Sequence, residues 1–395
     1  DFLPKNQKWP EDPEKQLINQ LEKSGQRLLG SIKNETLVVP LSGGFDSRLI
    51  VCMLKKAGYE KVICLTYGAP NPESQLSERV AKTLGYRWIF VDYTRLNTRG
   101  FSDHADFEAW QRYAGNHVSM PYLQEYFAVK HLKETKLIPD NSIFLPGHSG
   151  DFLAGSYVEK TARSRAKNQQ LYRHIARHYF WFYPLNRKKL RHISQRISQH
   201  MQAFLQPPAR AHYRAEIENW DVHEKLAKFV FHSALVFPFF GYGFRFPLWD
   251  KPLRDFFREL PWELRSDKAL YDQSIIRHYF KPLGVYFGQD ELPGNRPGDL
   301  SPETRSKPNH PAFALKRRIN AGKILRGIIP PTLVPGCYYR KKRRPSDYIC
   351  YERFSRELKQ KMRSQPELLR NKFRSYNALL CDWYLYQISS NQSDL

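Results

Sequence analysis

At 395 residues the chain is long enough to bury a sizeable core in roughly two or three packed units, which excludes a small structural peptide. A composition of 41% hydrophobic and 26% charged residues excludes disorder over most of the length. A net charge of +24 directs attention to anionic partners: nucleotides, phosphorylated substrates, nucleic acid or an anionic membrane surface.

The chain opens at Asp1 with neither an initiator methionine nor the n- and h-regions of a signal peptide, so it reads as trimmed from something longer. Leu17, Leu21, Leu28 and Ile32 fall on one helical stripe that Asn34 breaks. Residues 36–41 then read as a buried strand, 45–57 as a helix closed by Gly58, 62–66 as a second strand, 73–84 as a helix ending at Gly85, and 87–91 as a third strand. Strands alternating with helices of this length imply crossover units and a parallel sheet. A helical pattern follows at 122–133, and a short strand at 142–145.

From about residue 162 amphipathic helix and aromatic clusters such as Tyr179-Phe180-Trp181-Phe182-Tyr183 prevail, with no clear strand alternation. The most apolar stretch, 229–244, is interrupted by His232, Pro238 and two glycines and is read as buried core, since a membrane span needs about 20 apolar residues. Residues 293–311, with five prolines and two glycines, read as a loop or linker. The positive charge peaks beyond it, at Lys316-Arg317-Arg318 and in the run 340–344. The expected organisation is an α/β core over 1–160, a helical part over 161–292, and a Pro-rich loop with a basic C-terminal region over 293–395. The five cysteines, Cys52, Cys64, Cys337, Cys350 and Cys381, form no Cys-x-x-Cys pair and fit reduced thiols of a cytoplasmic protein.

The string Pro40-Leu41-Ser42-Gly43-Gly44-Phe45-Asp46-Ser47 stands between the first strand and an amphipathic helix. Two glycines let a backbone bend tightly and bring N–H groups to an anion, and a helix N-terminus adds partial positive charge. With the Ser42 and Ser47 hydroxyls as further donors, the loop suits a pyrophosphate. Asp46 in such a nest makes sense chiefly if a divalent cation bridges it to the phosphates. The plainer reading is an ordinary strand-turn-helix connection, where Ser and Gly are common. The Gly-Lys-Ser/Thr ending of a Walker loop and the GxGxxG spacing are both absent, which counts against simple phosphoryl and hydride transfer.

Ser42-Gly43-Gly44-Phe45-Asp46-Ser47 resembles the PP-loop of the N-type ATP pyrophosphatases, which cleave ATP between the α- and β-phosphates. The resemblance implies ATP and Mg2+ as cofactors, with Leu41 to Ser47 at the nucleotide and backbone contacts to adenine from Leu65, Thr66 and Tyr67. A second string, Leu145-Pro146-Gly147-His148-Ser149-Gly150-Asp151-Phe152-Leu153-Ala154-Gly155-Ser156-Tyr157, is similar to the asparagine-synthetase pattern L-S-G-E-G-x-D-E-x-F-G-G-Y. It places Gly147 at the nucleotide and matches Asp151 to the family's second magnesium-ligating aspartate, the partner of Asp46. A third, Arg245-Phe246-Pro247-Leu248-Trp249-Asp250, resembles R-x-P-F-L-D and precedes a helix expected at 253–260. In this order the three cover roughly residues 14–285, and the chain is identified as a member of the asparagine synthetase family. That implies a parallel-sheet PP-loop α/β core of the adenine nucleotide alpha hydrolase kind with a helical second lobe, and an ATP-dependent ligase. In such an enzyme a carboxylate is adenylated with release of pyrophosphate and then attacked by ammonia.

Departures from the family pattern matter for substrate. His148 stands where the family has Glu, and Phe152 where it has its next acidic residue. Gln273 falls near the expected family lysine, with Lys268 as a displaced substitute. His148 becomes the candidate to orient the acyl-adenylate or take a proton from ammonia, or else it is a structural loop histidine. The wording Pro-Gly-His-Ser-Gly-Asp and Pro-Leu-Ser-Gly-Gly-Phe-Asp-Ser-Arg is similar to asparagine-synthase-like proteins of bacterial surface-polysaccharide loci, which implies a hexuronic acid carboxylate as substrate. Aromatic richness suits a sugar and equally an aromatic core. Synthesis of asparagine, another pyrophosphatase reaction such as transfer-RNA modification, and a degenerate nucleotide-binding subunit remain open. Binding of nucleic acid itself is not expected. Ammonia is expected from a glutaminase domain or subunit outside this chain, or free.

At the basic end, Phe313, Leu315, Ile319, Ile324, Leu325, Ile328 and Ile329 interleave with Lys316, Arg317, Arg318, Lys323 and Arg326. That mixture suits a helix on the inner, anionic membrane face, or a cap on the catalytic lobe with its cations in water.

Overall fold

The computed structural model describes residues 9–116, 118–120, 122–156, 168–179, 186–202, 213–288, 349–361 and 376–391. The linker at 293–311, both basic runs, the apolar residues from Phe313 to Ile329, the aromatic residues 180–183, Cys337 and Tyr157 lie outside the described residues.

Helix α1 (Pro13–Gly30) begins where the Asp12 side chain accepts the Lys15 N–H at 2.9 Å and proline opens the first turn. Then come β1 (Leu37–Pro40), α2 (Phe45–Lys56), β2 (Val62–Gly68), α3 (Pro72–Leu84) and β3 (Arg87–Asp92). Helix α3 is defined at both ends by local chemistry: Asn71 and Ser74 form a reciprocal capping box, and Gly85 closes it at φ +73°. Helices α4 (Ala105–Gly115) and α5 (Tyr126–Thr135) precede the two-residue β4 (Ile143–Phe144) and the short α6 (Gly150–Leu153). The helical part supplies α7 (Asn168–Tyr179), α8 (Arg187–His200), α9 (Tyr213–Trp220) and a π-helix, Asp221–Phe231. After α10 (Val236–Phe239) comes β5 (Gly243–Phe244), then α11 (Lys251–Glu259), α12 (Trp262–Arg265), α13 (Ala269–Ile275), α14 (Tyr351–Lys361) and α15 (Tyr376–Asn391).

The fold is α/β: one parallel sheet in the order β3-β2-β1-β4-β5, covered by helices on both faces. Central strand β1 shows why. Leu37 and Val39 enter one apolar cluster with Leu17, Leu21, Leu49 and Phe257, while Val38 enters the other with Ile63, Trp110, Phe127 and Phe237. All three β1 side chains are wholly buried, the pattern of a strand with no solvent face. Each such side chain contributes about 1.5–3 kcal/mol of burial. Phe354, Leu358, Leu380 and Trp383, from α14 and α15, belong to the second cluster, so the chain returns to the sheet at its C-terminal end.

Three expectations need correction. The region expected to lack strands supplies β5, whose two residues are too few to show alternation in sequence. The helix expected at 122–133 begins at Tyr126, because the residues just before it serve as hydrogen-bond partners: the Tyr93 hydroxyl donates to the Gln124 carbonyl at 2.6 Å. Helix α4 was not anticipated at all.

Candidate active site at the junction of β1 and β4

In a parallel sheet the crevice opens beyond the C-terminal ends of strands whose connections run to opposite sides. Here β1 pairs with β2 on one side and β4 on the other, in the register Leu37↔Ile143 and Val38↔Phe144. Residues 41–47 and 145–151 therefore leave the sheet side by side.

The first loop is held by its serines. Ser42 N–H donates to Ser47 Oγ at 3.1 Å, the two hydroxyls lie 3.2 Å apart, and Gly44 N–H donates to Ser42 Oγ at 3.2 Å. Neither Gly43 nor Gly44 has a positive φ, so the expected tight bend through glycine freedom is not what they supply. Gly44 supplies space: a Cβ there would lie 3.2 Å from Ser42 Oγ. Beneath the loop Arg48, wholly buried, donates to the Gly43 carbonyl at 2.8 Å and the Val285 carbonyl at 3.1 Å, with its guanidinium 5.3 Å from the Phe45 and Phe280 ring centres. Phe45 and Ser47 are buried in the first turn of α2.

The second loop comes unusually close to the first. A Cβ on Gly147 would stand 2.7 Å from Ser47 N, and one on Gly150 2.5 Å from Asp46 Cγ, so only glycine allows this approach. Ser149 between them has φ +77°, a conformation costly for a side chain and concentrated at functional sites. Asp151 N–H donates to Asp46 Oδ2 at 2.9 Å, and the Tyr271 hydroxyl donates to Asp46 Oδ1 at 2.9 Å.

Burial, then the negative charge of Asp151, push the Asp46 carboxyl up to about 7, against the pull of Lys268, Tyr271 and the Asp151 N–H. Asp272 is likewise raised to about 7, chiefly by burial. Lys268 Nζ lies 2.9 Å from Asp151 Oδ1 and 3.7 Å from Asp272 Oδ1. Burial works against its ammonium, but Asp272, Asp151 and Asp46 outweigh that, and its pKa is raised. Lys268 has φ +58° at the start of α13, which delivers the side chain to the crevice. The displaced lysine thus reaches Asp151, while Gln273 sits half-buried one turn along the helix.

Magnesium takes hard oxygen ligands, commonly one or two carboxylates with substrate phosphates. Two carboxylates from separate loops converge here, one of them raised by burial and by the other's charge, and such a pair fits that ion. Among the described residues no group of three or more His, Cys, Asp or Glu side chains forms an all-protein metal site.

His148 is partly buried and its imidazole is pushed down to about 4 by burial; its ring lies 5.8 Å from that of Phe246 in the third motif. Phe152 is a core side chain, 5.9 Å ring to ring from Trp249, so the change from an acidic residue at that position serves packing. The third motif is a brace: Asp250 takes two hydrogen bonds from Arg27 and accepts Leu253 N–H, while the Pro247 carbonyl accepts the Ser24 hydroxyl at 2.6 Å.

Leu65, Thr66 and Tyr67 lie beside the start of the first loop. The Leu65 carbonyl accepts Leu41 N–H at 2.7 Å, Thr66 Oγ1 donates to the Leu41 carbonyl at 2.9 Å, and the Tyr67 hydroxyl donates to Glu125 Oε1 at 2.9 Å. Their side chains serve the fold. Arg48, Tyr271 and Asp272 were not singled out in sequence. Asp272 and Tyr271 follow Lys268 at helical spacing, which is the signal that would have found them.

Several comparisons bear on identity. No curated protein matches the chain. Similar solved structures include the U34-tRNA thiolase NcsA from Methanococcus maripaludis with its 4Fe–4S cluster, at 12% identity over 56% of this chain and 80% of that one, TM-score 0.26. Another is an NH3-dependent NAD synthetase from Campylobacter jejuni in complex with nitrate ion, at 13% identity over 57% of this chain and 92% of that one, TM-score 0.23. The asparagine synthase family model matches residues 21–283, a span that holds both loops, the bracing motif and Lys268. The chain belongs to the asparagine synthase family.

Proposed function

We propose that the protein amidates the carboxylate of a uronic-acid sugar destined for surface polysaccharide, using Mg2+, ATP and ammonia. One observation carries the choice of substrate. Where the family pattern has a glutamate in the second loop, this chain has His148, whose imidazole is kept neutral by burial. An amino-acid substrate brings an ammonium that needs a negative partner, and a site built for one polar pattern rejects a ligand that leaves groups unpaired. A hydroxyl-rich carboxylate without an ammonium suits the altered site.

Asp46 and Asp151 would hold the magnesium, with Tyr271 and the Asp151 N–H fixing the Asp46 carboxylate. The bound ion would offset charge on the departing pyrophosphate. A substrate carboxylate oxygen attacks the α-phosphorus, the bond to the bridging oxygen of pyrophosphate breaks, and an acyl-adenylate forms. Lys268, held by Asp151 and Asp272, would balance the phosphate charge. Ammonia then attacks the acyl carbon, and AMP leaves. A ring titrating near 4 is a weak base at neutral pH, so orienting the adenylate by a hydrogen bond suits His148 better than proton uptake.

Pyrophosphate release from Mg-ATP should depend on a hexuronic acid, with amide formed when ammonium is added. Efficient asparagine formation from aspartate would overturn the sugar reading.

A further inference from the structure

The π-helix Asp221–Phe231 is fastened at both ends to the second loop and its surroundings. Ahead of it the buried Arg265 donates Nε to the Leu153 carbonyl at 3.0 Å and Nη1 to Glu218 Oε2 at 3.2 Å, so α9 and the turn after Asp151 share one guanidinium. At the far end the Phe231 ring centre lies 4.8 Å from that of Phe246 and 5.1 Å from that of Trp249, the rings that neighbour His148 and Phe152. Between these ends Val222, Leu226 and Val230 pack against the cluster that holds Phe152, Leu153 and Ala154. π-turns recur at functional sites.

Apolar packing does not account for two residues of this helix. Asp221 is 1% exposed, and neither of its carboxylate oxygens accepts a hydrogen bond among the described residues, which is costly for a buried carboxylate. Burial pushes its carboxyl up to about 7, against the pull of Lys225 four residues on. Lys225 is half-buried. Burial pushes its ammonium down, and the charges of Asp221 and then of Asp151 oppose that. Lys225 therefore comes within electrostatic reach of a crevice carboxylate from the helical part, with Asp221 as a buried counter-charge.

An attacking carboxylate and the α-phosphate are both anions, and Asp46, Asp151 and Asp272 already make the crevice acidic. Bringing an acceptor carboxylate to phosphorus needs a cation on the acceptor's side. Lys268 enters from α13 and is divided between Asp151 and Asp272. Lys225 enters from the helix that borders Phe246 and, through it, His148, the residue assigned above to the acyl group. We propose that Lys225, steadied by Asp221, binds the carboxylate of the acceptor, so that the helical part supplies the acceptor half of the site and the sheet the nucleotide half; this rests on the uronate-activating reading above.

Isothermal titration of protein loaded with Mg2+ and α,β-methylene ATP tests it, with galacturonate and glucuronate as probes and galactose and glucose as their uncharged counterparts. The wild type should prefer the uronates. Lys225→Met keeps the aliphatic stem and should weaken uronate binding about tenfold while leaving the nucleotide analogue's affinity alone; Lys225→Arg should keep most of the preference. Lys225→Gln, polar at a half-buried position, repeats the test should the methionine variant misfold. Unchanged uronate affinity in both neutral variants, an equal loss for the uncharged sugars, or a loss of nucleotide affinity in its place would overturn the inference alone. No preference for uronates in the wild type would overturn the sugar reading and this inference with it. Lys225-dependent uronate binding without uronate-dependent pyrophosphate release from Mg-ATP would sink the proposed function alone.

Discussion

In the proposed reaction Asp46 is the central residue, and the second loop and α13 each direct a hydrogen bond to its carboxylate. Asp46→Asn keeps the shape and removes the charge. Turnover of ATP to AMP should fall about 10²-fold or more with the fold intact, and a wild-type rate would remove Asp46 from the metal site. His148 gives a pH-dependent prediction. Its folded value of about 4 lies below the ordinary 6.5, so as pH falls from about 6.5 the unfolded chain takes up a proton that the folded protein resists. Stability from this residue is therefore complete above pH 6.5 and lost down to about pH 4. His148→Gln should flatten that part of the stability curve in urea titrations; an unchanged slope would show that the ring is accessible to protons. Asp46, Asp151 and the loop residues were legible because their order is preserved in the string. The reach of Lys268 was not, since it depends on a left-handed backbone at that residue which no periodicity reveals, and Tyr271 becomes visible only through its helical spacing from Lys268.

At the scale of elements, the two loops form one site because Gly147 and Gly150 let them touch. Gly150→Ala should force the second loop away from Asp46, costing about 1–3 kcal/mol in stability together with most of the activity. Gly30→Ala, at the end of α1, is the control: its Cβ would meet nothing within 4 Å, and the change should stabilise by about 0.5–1 kcal/mol without touching turnover. Similar melting shifts in the two variants would mean that the close approach is not needed. Strands β1 to β3 with the helices between them were readable from alternation and punctuation, down to the caps at Gly58 and Gly85. The π-helix Asp221–Phe231 and the two-residue β5 were not, because a π-turn has no distinct apolar spacing and two residues carry no period.

For the whole molecule, the parallel sheet followed from strands alternating with helices, but the return of the chain to that sheet did not. Phe354 stacks on Phe127 at 4.3 Å, a contact between residues more than two hundred positions apart that local pattern cannot signal. Phe354→Ala should cost about 3–5 kcal/mol and lower the melting temperature of the sheet domain itself; a separate early transition with the main one unmoved would show that α14 is an appendage. Among the described residues no helix is long and apolar enough to cross a membrane.

The central claim is that a carboxylate is activated by transfer of AMP. Uronic acid labelled with oxygen-18 in its carboxylate, incubated with Mg-ATP and ammonium, should yield AMP carrying one heavy oxygen beside unlabelled pyrophosphate. Unlabelled AMP, or ADP with inorganic phosphate in place of AMP, would contradict it.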